Sequence, residues 1–188
     1  MLLLTTTATP PRPVRRRGGS GMRVREATAA DYAAIRTLNN SAVPHVNALS
    51  EEEFAWLSSH ANFLRLAEDA TGLLGFALVL PSGGEYWSEN YRWFTARFDR
   101  FVYLDRVVVA PQARRRGVGR ALYEALFHYA SDTWPRLTLE VNLRPPNPDS
   151  VHFHEALGFT TLGVREYDDG RHAVLMMTKE LQTSRRES

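Results

Sequence analysis

The stretch that most restricts the fold lies near the middle of the chain. Three β-branched residues, Val107-Val108-Val109, run into Ala110-Pro111-Gln112-Ala113-Arg114-Arg115-Arg116-Gly117-Val118-Gly119-Arg120. Apolar residues then recur at Val118, Ala121, Leu122, Ala125, Leu126, Tyr129 and Ala130. The first pattern predicts a buried strand and the second predicts one face of a helix over 117–132. Residues 137–141 predict another strand, so the centre of the chain reads as a β-α-β unit. Gly117 and Gly119 let the backbone turn tightly and approach a ligand with no Cβ in the way. The first amides of the helix lack intrahelical acceptors and face outward at its positive end, which favours phosphate. Arg114, Arg115, Arg116 and Arg120 add positive charge around them. By itself R-x-x-G-x-G also reads as a plain structural turn. It is not a nucleoside triphosphate loop, which ends in Gly-Lys-Ser/Thr, nor a dinucleotide fingerprint, because position 122 is Leu.

Caps and turns divide the rest. Residues 22–27 alternate and predict a first strand. Thr28, with Asp31 three residues on, resembles a capping box and opens a helix through about Leu38; residues 39–49, with Pro44, read as a polar loop. Ser50 ahead of Glu51, Glu52 and Glu53 caps a second helix, its acids at the positive end of the dipole. Residues 63–67 and 73–80 flank a turn and predict a hairpin. Residues 81–98 read as a turn followed by an aromatic-rich segment. Residues 101–109 predict a long strand with Phe101, Tyr103, Asp105, Val107 and Val109 on one face. Asn147 and Pro148 sit at the cap and first turn of a short helix that Gly158 ends. Strands at 160–165 and 173–178 close the domain around Asp168-Asp169-Gly170. The expectation is one α+β (mixed α/β) domain over 22–181, with a mixed, mostly antiparallel, twisted sheet and about four helices.

Composition removes several classes of function. Cysteine is absent, which excludes a disulfide framework, a thiolate metal site and a cysteine nucleophile. No apolar run approaches the roughly 18 residues that a membrane-spanning helix needs, so no membrane partner is expected. The net charge of +2 is misleading. Residues 1–21 hold Arg12, Arg15, Arg16 and Arg17 and no acid; removing those four from 23 basic residues leaves 19 against 21 acids, or −2 for 22–188. A nucleic-acid binder carries its basic excess on the folded domain, so nucleic acid is not an expected partner. Residues 1–21 are expected to be a disordered basic leader and 182–188 a polar tail. The six histidines are scattered without ligand spacing, so no metal is expected. The cytoplasm is the default compartment.

The order V-x-P-x-x-R-x-x-G-x-G-x-x-L, a strand, then N-P-x-S-x-x-F-H-x-x-L-G-F over 109–159 resembles the GCN5-related N-acetyltransferase (GNAT) superfamily. The resemblance implies the family's sheet with splayed central strands and acetyl-CoA as co-substrate. It implies that the backbone amides of residues 115–119, including Val118, hold the pyrophosphate. The pantetheine arm would lie between Val107, Val108 and Val109 on one strand and residues 139–142, with Asn142, on the other. Asn147 would bond the arm as well as cap its helix, and Ser150 and Phe153 would line the same groove.

The implied reaction moves an acetyl group directly from a thioester to an amine, which calls for a base, an acid for the departing thiolate and a donor for the oxyanion. Family members often place a tyrosine acid where this chain has His154, whose ordinary pKa near ~6.5 suits proton donation; a ring that only packs, or bonds coenzyme A, is the alternative. For the base, Asp105 is the first choice, through burial beside Tyr103 and Val107, and Glu140 the second; an ion pair with an arginine from a neighbouring strand is the alternative for Asp105. In this fold residues 39–47 and 86–98 cover the acceptor. Asn40, Val43, His45, Tyr91, Trp93 and Glu140 are therefore expected around a small amine or amino-acid-like acceptor. The aromatic residues form either a cage for a cation or the packing surface of a lid. The leading expectation is an acetyl-CoA-dependent N-acetyltransferase. A non-catalytic acyl-CoA-binding sensor is its alternative, and a homodimer is left open.

Overall fold

The computed structural model describes residues 21–44 and 46–181. The leader up to Ser20, the tail 182–188 and His45 lie outside the described residues. The elements are β1 (Arg23–Glu26), a 3-10 turn (Ala29–Asp31), α1 (Tyr32–Ser41), α2 (Glu51–His60), β2 (Phe63–Asp69) and β3 (Gly72–Pro81). They continue as α3 (Glu89–Thr95), β4 (Val102–Val109), a second 3-10 turn (Pro111–Ala113), α4 (Val118–Ala130) and β5 (Arg136–Arg144). The chain closes with α5 (Pro148–Ala156), β6 (Thr160–Tyr167) and β7 (His172–Glu180). Seven strands form one sheet in the order β1-β2-β3-β4-β5-β7-β6, antiparallel throughout except where β4 meets β5. The fold is that of a mixed, mostly antiparallel sheet carrying helices on both faces. Among the described residues no helix is long and apolar enough to cross a membrane.

Local chemistry fixes most element ends. Thr28 and Asp31 close a capping box, as do Ser50 and Glu53, where the Ser50 hydroxyl accepts from the Glu53 amide at 3.1 Å. Asn147 accepts from the Ser150 amide at the start of α5, and Gly158, at φ +85°, ends it in the left-handed region. The apolar stripe of α4 buries Val118, Leu122, Leu126 and Ala130 against one face of the sheet, together with Leu137, Leu139 and Val141 of β5. The other face receives α1, α2 and α3 through Ile35, Phe54, Leu57, Tyr91 and Phe94. Burying two such faces removes enough apolar surface from water to hold a domain of this size together.

Three expectations need correction. Residues 39–41 are the last turn of α1 rather than loop, and the aromatic-rich segment contains a helix, α3, capped by Ser88. That raises the α-helices to five among the described residues. The single face assigned to Phe101, Tyr103, Asp105, Val107 and Val109 is also wrong. Leu78 pairs with Arg106 but Val79 pairs with Leu104, so Asp105 is the extra residue of a β-bulge. The bulge shifts the alternation by one. Phe101 and Tyr103 face α1, α2 and α3, whereas Val107 and Val109 pack on the α4 side beside Val102 and Leu104.

Candidate active site

The central strands touch and then part. The ladder between β4 and β5 pairs Val102 with Leu137 and Tyr103 with Thr138, and stops there. Beyond it β4 is still paired on its far side to β3, and β5 to β7, so the two strands diverge as a fork whose inner edges no longer pair with each other. Val107, Val108 and Val109 lie along one arm; Leu139, Glu140, Val141 and Asn142 lie along the other. Parted strand edges of this kind present backbone donors and acceptors to an extended ligand.

At the end of β4 the chain enters the arginine-rich loop. Arg115 at φ +57° and Gly117 at φ +82° are both left-handed, and Gly117 is the residue from which α4 starts. The first bond of the helix runs from the Ala121 amide to the Gly117 carbonyl at 3.0 Å. The amides of Val118, Gly119 and Arg120 therefore belong to the open first turn, at the positive end of a 13-residue helix. A Cβ on Gly119 would meet the Phe153 ring at 3.5 Å and Val109 Cγ2 at 3.9 Å, so this position abuts both the β4 arm and α5. Of the four arginines, Arg116 is held by Asp69 at 2.7 Å and Arg120 pairs with Glu124 at 2.9 Å. Arg114 and Arg115 are exposed.

Two carboxylates stand in the fork on the side of α1, α2 and α3. The Tyr103 hydroxyl lies 2.8 Å from each oxygen of Glu140, and Asn90 Nδ2 donates to Oε1 at 3.0 Å. Burial among these neutral groups pushes the Glu140 carboxyl up to about 7, while its hydrogen bonds to Tyr103 and Asn90 pull the other way. The residue still keeps some solvent-accessible surface. Asp105 is treated differently. Arg106 Nε donates to its Oδ2 at 2.5 Å and the Tyr86 hydroxyl to its Oδ1 at 2.5 Å. The arginine that occupies Asp105 is thus its neighbour in sequence, brought alongside by the bulge.

His154 faces inward. Its Nδ1 lies 2.6 Å from the Ser150 carbonyl and its Nε2 lies 2.5 Å from the Tyr123 hydroxyl. A carbonyl only accepts, so the ring carries its proton on Nδ1 and takes the tyrosine's hydrogen bond on Nε2. Burial holds its pKa below the ordinary value, opposed by the bond to Ser150. Both ring nitrogens are therefore engaged within the protein, with Phe153 and Phe159 against the ring. In this arrangement the ring's one N–H points at the Ser150 carbonyl, the geometry of the packing alternative. Tyr123 lies on α4 outside the apolar stripe read from the sequence, and nothing local in the sequence links positions 123 and 154.

The acceptor-side residues are dispersed. Asn40 is tied to the backbone of Leu49 through both its side-chain atoms, at 2.9 and 3.1 Å, and Val43 is exposed. Tyr91 is buried, its hydroxyl donating to the Pro81 carbonyl at 2.7 Å and accepting from the Gly84 amide, so it braces the 82–88 turn rather than lining an opening. Trp93 stacks under the Arg97 guanidinium. Asn90, Tyr103 and Tyr86 instead reach the carboxylates. Their aromatic and amide character was visible in the sequence, but the bulge and the unforeseen α3 hid their direction.

Comparison with known proteins agrees with this architecture. The chain superposes on the ribosomal-protein-S18-alanine N-acetyltransferase of Escherichia coli with a TM-score of 0.69 at 20% identity, covering 89% of this chain and 99% of that one. It is similar to a ribosomal-protein-alanine N-acetyltransferase of Brucella melitensis, with a TM-score of 0.65 and 26% identity over 85% and 99% of the two chains. A Salmonella typhimurium protein assigned as an acetyltransferase, solved with its cofactor acetyl-CoA, matches with a TM-score of 0.64 at 22% identity, over 89% and 96%. No curated protein matches the chain. The sequence model of the acetyltransferase (GNAT) family matches residues 30–159, spanning the fork, the arginine-rich loop and α5. The chain belongs to the acetyltransferase (GNAT) family.

Proposed function

We propose that the protein is an acetyl-CoA-dependent N-acetyltransferase with Glu140 as its base. The observation that carries the proposal is the fork itself. A carboxyl group whose pKa is raised to about 7 sits where β4 and β5 part, and the open first turn of α4 lies at the end of the same β4 arm. Bound acetyl-CoA supplies an activated acetyl group. The amides of residues 115–119 and the positive end of α4 suit its diphosphate, and the parted inner edges of β4 and β5 suit an extended, amide-bearing arm. The groove residues Asn142, Asn147, Ser150 and Phe153 stand along β5 and α5 on that side. No metal is required for any of these roles.

Glu140 takes the proton of the incoming ammonium; the neutral nitrogen then attacks the thioester carbonyl, the C–S bond breaks, and the departing thiolate takes up the second proton, shed by the new amide nitrogen, to leave as free coenzyme A. A base near 7 is ionised in about half of the molecules at neutral pH and can both take up and release a proton there. Asp105, bound by Arg106 and Tyr86, is a structural charge in this reading, and His154 is a packing residue. The acceptor is a primary amine of amino-acid-like form. The two ribosomal-protein-alanine N-acetyltransferases among the structural neighbours support an α-amine in particular.

The test is release of free thiol from acetyl-CoA in the presence of a panel of amines, free amino acids and short peptides with free N-termini. Acetyl transfer predicts amine-dependent thiol release. Thermal stabilisation by coenzyme A without thiol release from any acceptor would favour an acyl-CoA sensor, a reading supported by the engaged His154 ring.

A further inference from the structure

Arg106 is a buried cation on β4 that no step of the transfer reaction uses. Its side chain is 7% exposed. Alternation alone would have placed it with Leu104 on the α4 side, but the bulge at Asp105 turns it toward α1. There Nε donates to Asp105 Oδ2 at 2.5 Å, while Nη1 donates to Asn39 Oδ1 at 3.0 Å and reaches the Asn47 carbonyl at 3.4 Å. Asn39 is fully buried in the last turn of α1, and its Nδ2 donates to the same Asn47 carbonyl at 3.0 Å. Its neighbour Asn40 accepts from the Leu49 amide and donates to the Leu49 carbonyl. The connection between α1 and α2 therefore has its backbone pinned at Asn47 by Arg106 and Asn39 and at Leu49 by Asn40, which Asn39 in turn bonds at 2.9 Å.

We infer that Arg106 is a positioning residue for the acceptor: it locks the α1–α2 connection beside the β4–β5 fork while keeping Asp105 occupied. This rests on the proposed transfer reaction. The α4 side of the sheet is filled by α4 and α5, so an amine reaches Glu140 from the side of α1 and α3, where the backbone held at Asn47 and Leu49, in the same core cluster as Tyr103, forms a wall. A planar guanidinium has donors diverging from one plane and can hold a carboxylate and an amide oxygen together; an ammonium is a point charge that cannot span both. The rigid wall fixes the acceptor's approach geometry, and small misplacements at this range have large effects on transfer.

The test compares the native protein with Arg106→Lys, which keeps the charge beside Asp105 and loses the span. Hydrogen exchange of the backbone amides between residues 42 and 50, followed in the resting protein, is expected to quicken by about tenfold. For an acceptor found by thiol release, its KM is expected to rise by roughly tenfold, while kcat and the KM for acetyl-CoA stay within about threefold. Unchanged exchange, or an acetyl-CoA KM that rises in step with the acceptor KM, overturns the inference. Should Arg106→Lys fail to fold, Asp105→Asn with Arg106→Met removes both charges together and is expected to give the same pattern. If the native protein releases no thiol with any acceptor, the transfer reading fails while the exchange measurement still decides whether Arg106 holds the connection.

Discussion

Asp105 and Glu140 each stand two residues beyond the last bridge between β4 and β5, Tyr103 opposite Thr138, yet the fold treats the two carboxylates in opposite ways. Asp105 receives a guanidinium and a phenol; Glu140 receives only the neutral donors of Tyr103 and Asn90. Charge compensation at one site and its absence at the other separate the roles of chemically similar groups. The carboxylate without a cation is the one placed to exchange a proton near neutral pH.

Replacing Glu140 by Gln keeps the side chain's size and removes the base. We expect kcat/KM for the acceptor to fall by about 10²- to 10⁴-fold. The dissociation constant for coenzyme A, measured by calorimetry, should stay within about twofold, because the open first turn of α4, proposed to hold the diphosphate, lies at the far end of the β4 arm.

Glu140 also makes a stability prediction. Its folded-state pKa of about 7 lies above the ordinary 4.5. Below the ordinary value both folded and unfolded chains hold the proton. Between there and about 7 the folded chain retains a proton that the unfolded chain releases, so stability falls as pH rises through this window. Urea denaturation should show a decline on the order of 2 kcal/mol from pH 5 to pH 8 attributable to this group. Glu140→Gln should flatten that decline.

Gly119 tests the loop. An alanine fits, since its Cβ would make ordinary contact with Phe153, but a longer acidic chain would fill the approach to the first turn of α4 and repel a diphosphate. Gly119→Glu is expected to weaken coenzyme A binding by more than about 100-fold with a melting temperature within a few degrees of the native value. Unaltered affinity would place the diphosphate elsewhere.

His154→Phe separates packing from proton transfer. The variant leaves the fully buried Tyr123 hydroxyl without its acceptor, which should lower stability by about 1–3 kcal/mol. Because both ring nitrogens are already engaged, kcat should change by less than about threefold. The double variant Tyr123→Phe with His154→Phe should recover part of the lost stability. A large fall in kcat with stability intact would return His154 to the reaction.

The features legible in the sequence are those set by neighbours along the chain. The capping boxes at Thr28 and Ser50, the αL stop at Gly158, the stripe of α4 and the glycines at 117 and 119 all depend on contacts within a few residues. What escaped was set across the sheet. The bulge at Asp105 exists because β3 counts one residue fewer than β4, which nothing in 101–109 reveals, and it reversed the faces assigned to Val107 and Val109. The pairing of Tyr123 with His154 and of Arg116 with Asp69 likewise joins residues far apart in the chain. Helix α3 was obscured because its aromatic residues do not form a clean amphipathic stripe. The order of preference between Asp105 and Glu140 turned on that bulge, since it delivers Arg106 to Asp105.

The most direct test of the account is the pH dependence of acceptor-driven thiol release for the native protein and for Glu140→Gln. The account predicts that native kcat/KM climbs with pH through an apparent pKa of about 7 and then levels, and that the variant lacks this limb. An identical rise in both proteins would show that the proton leaves the amine by another group and would contradict the assignment.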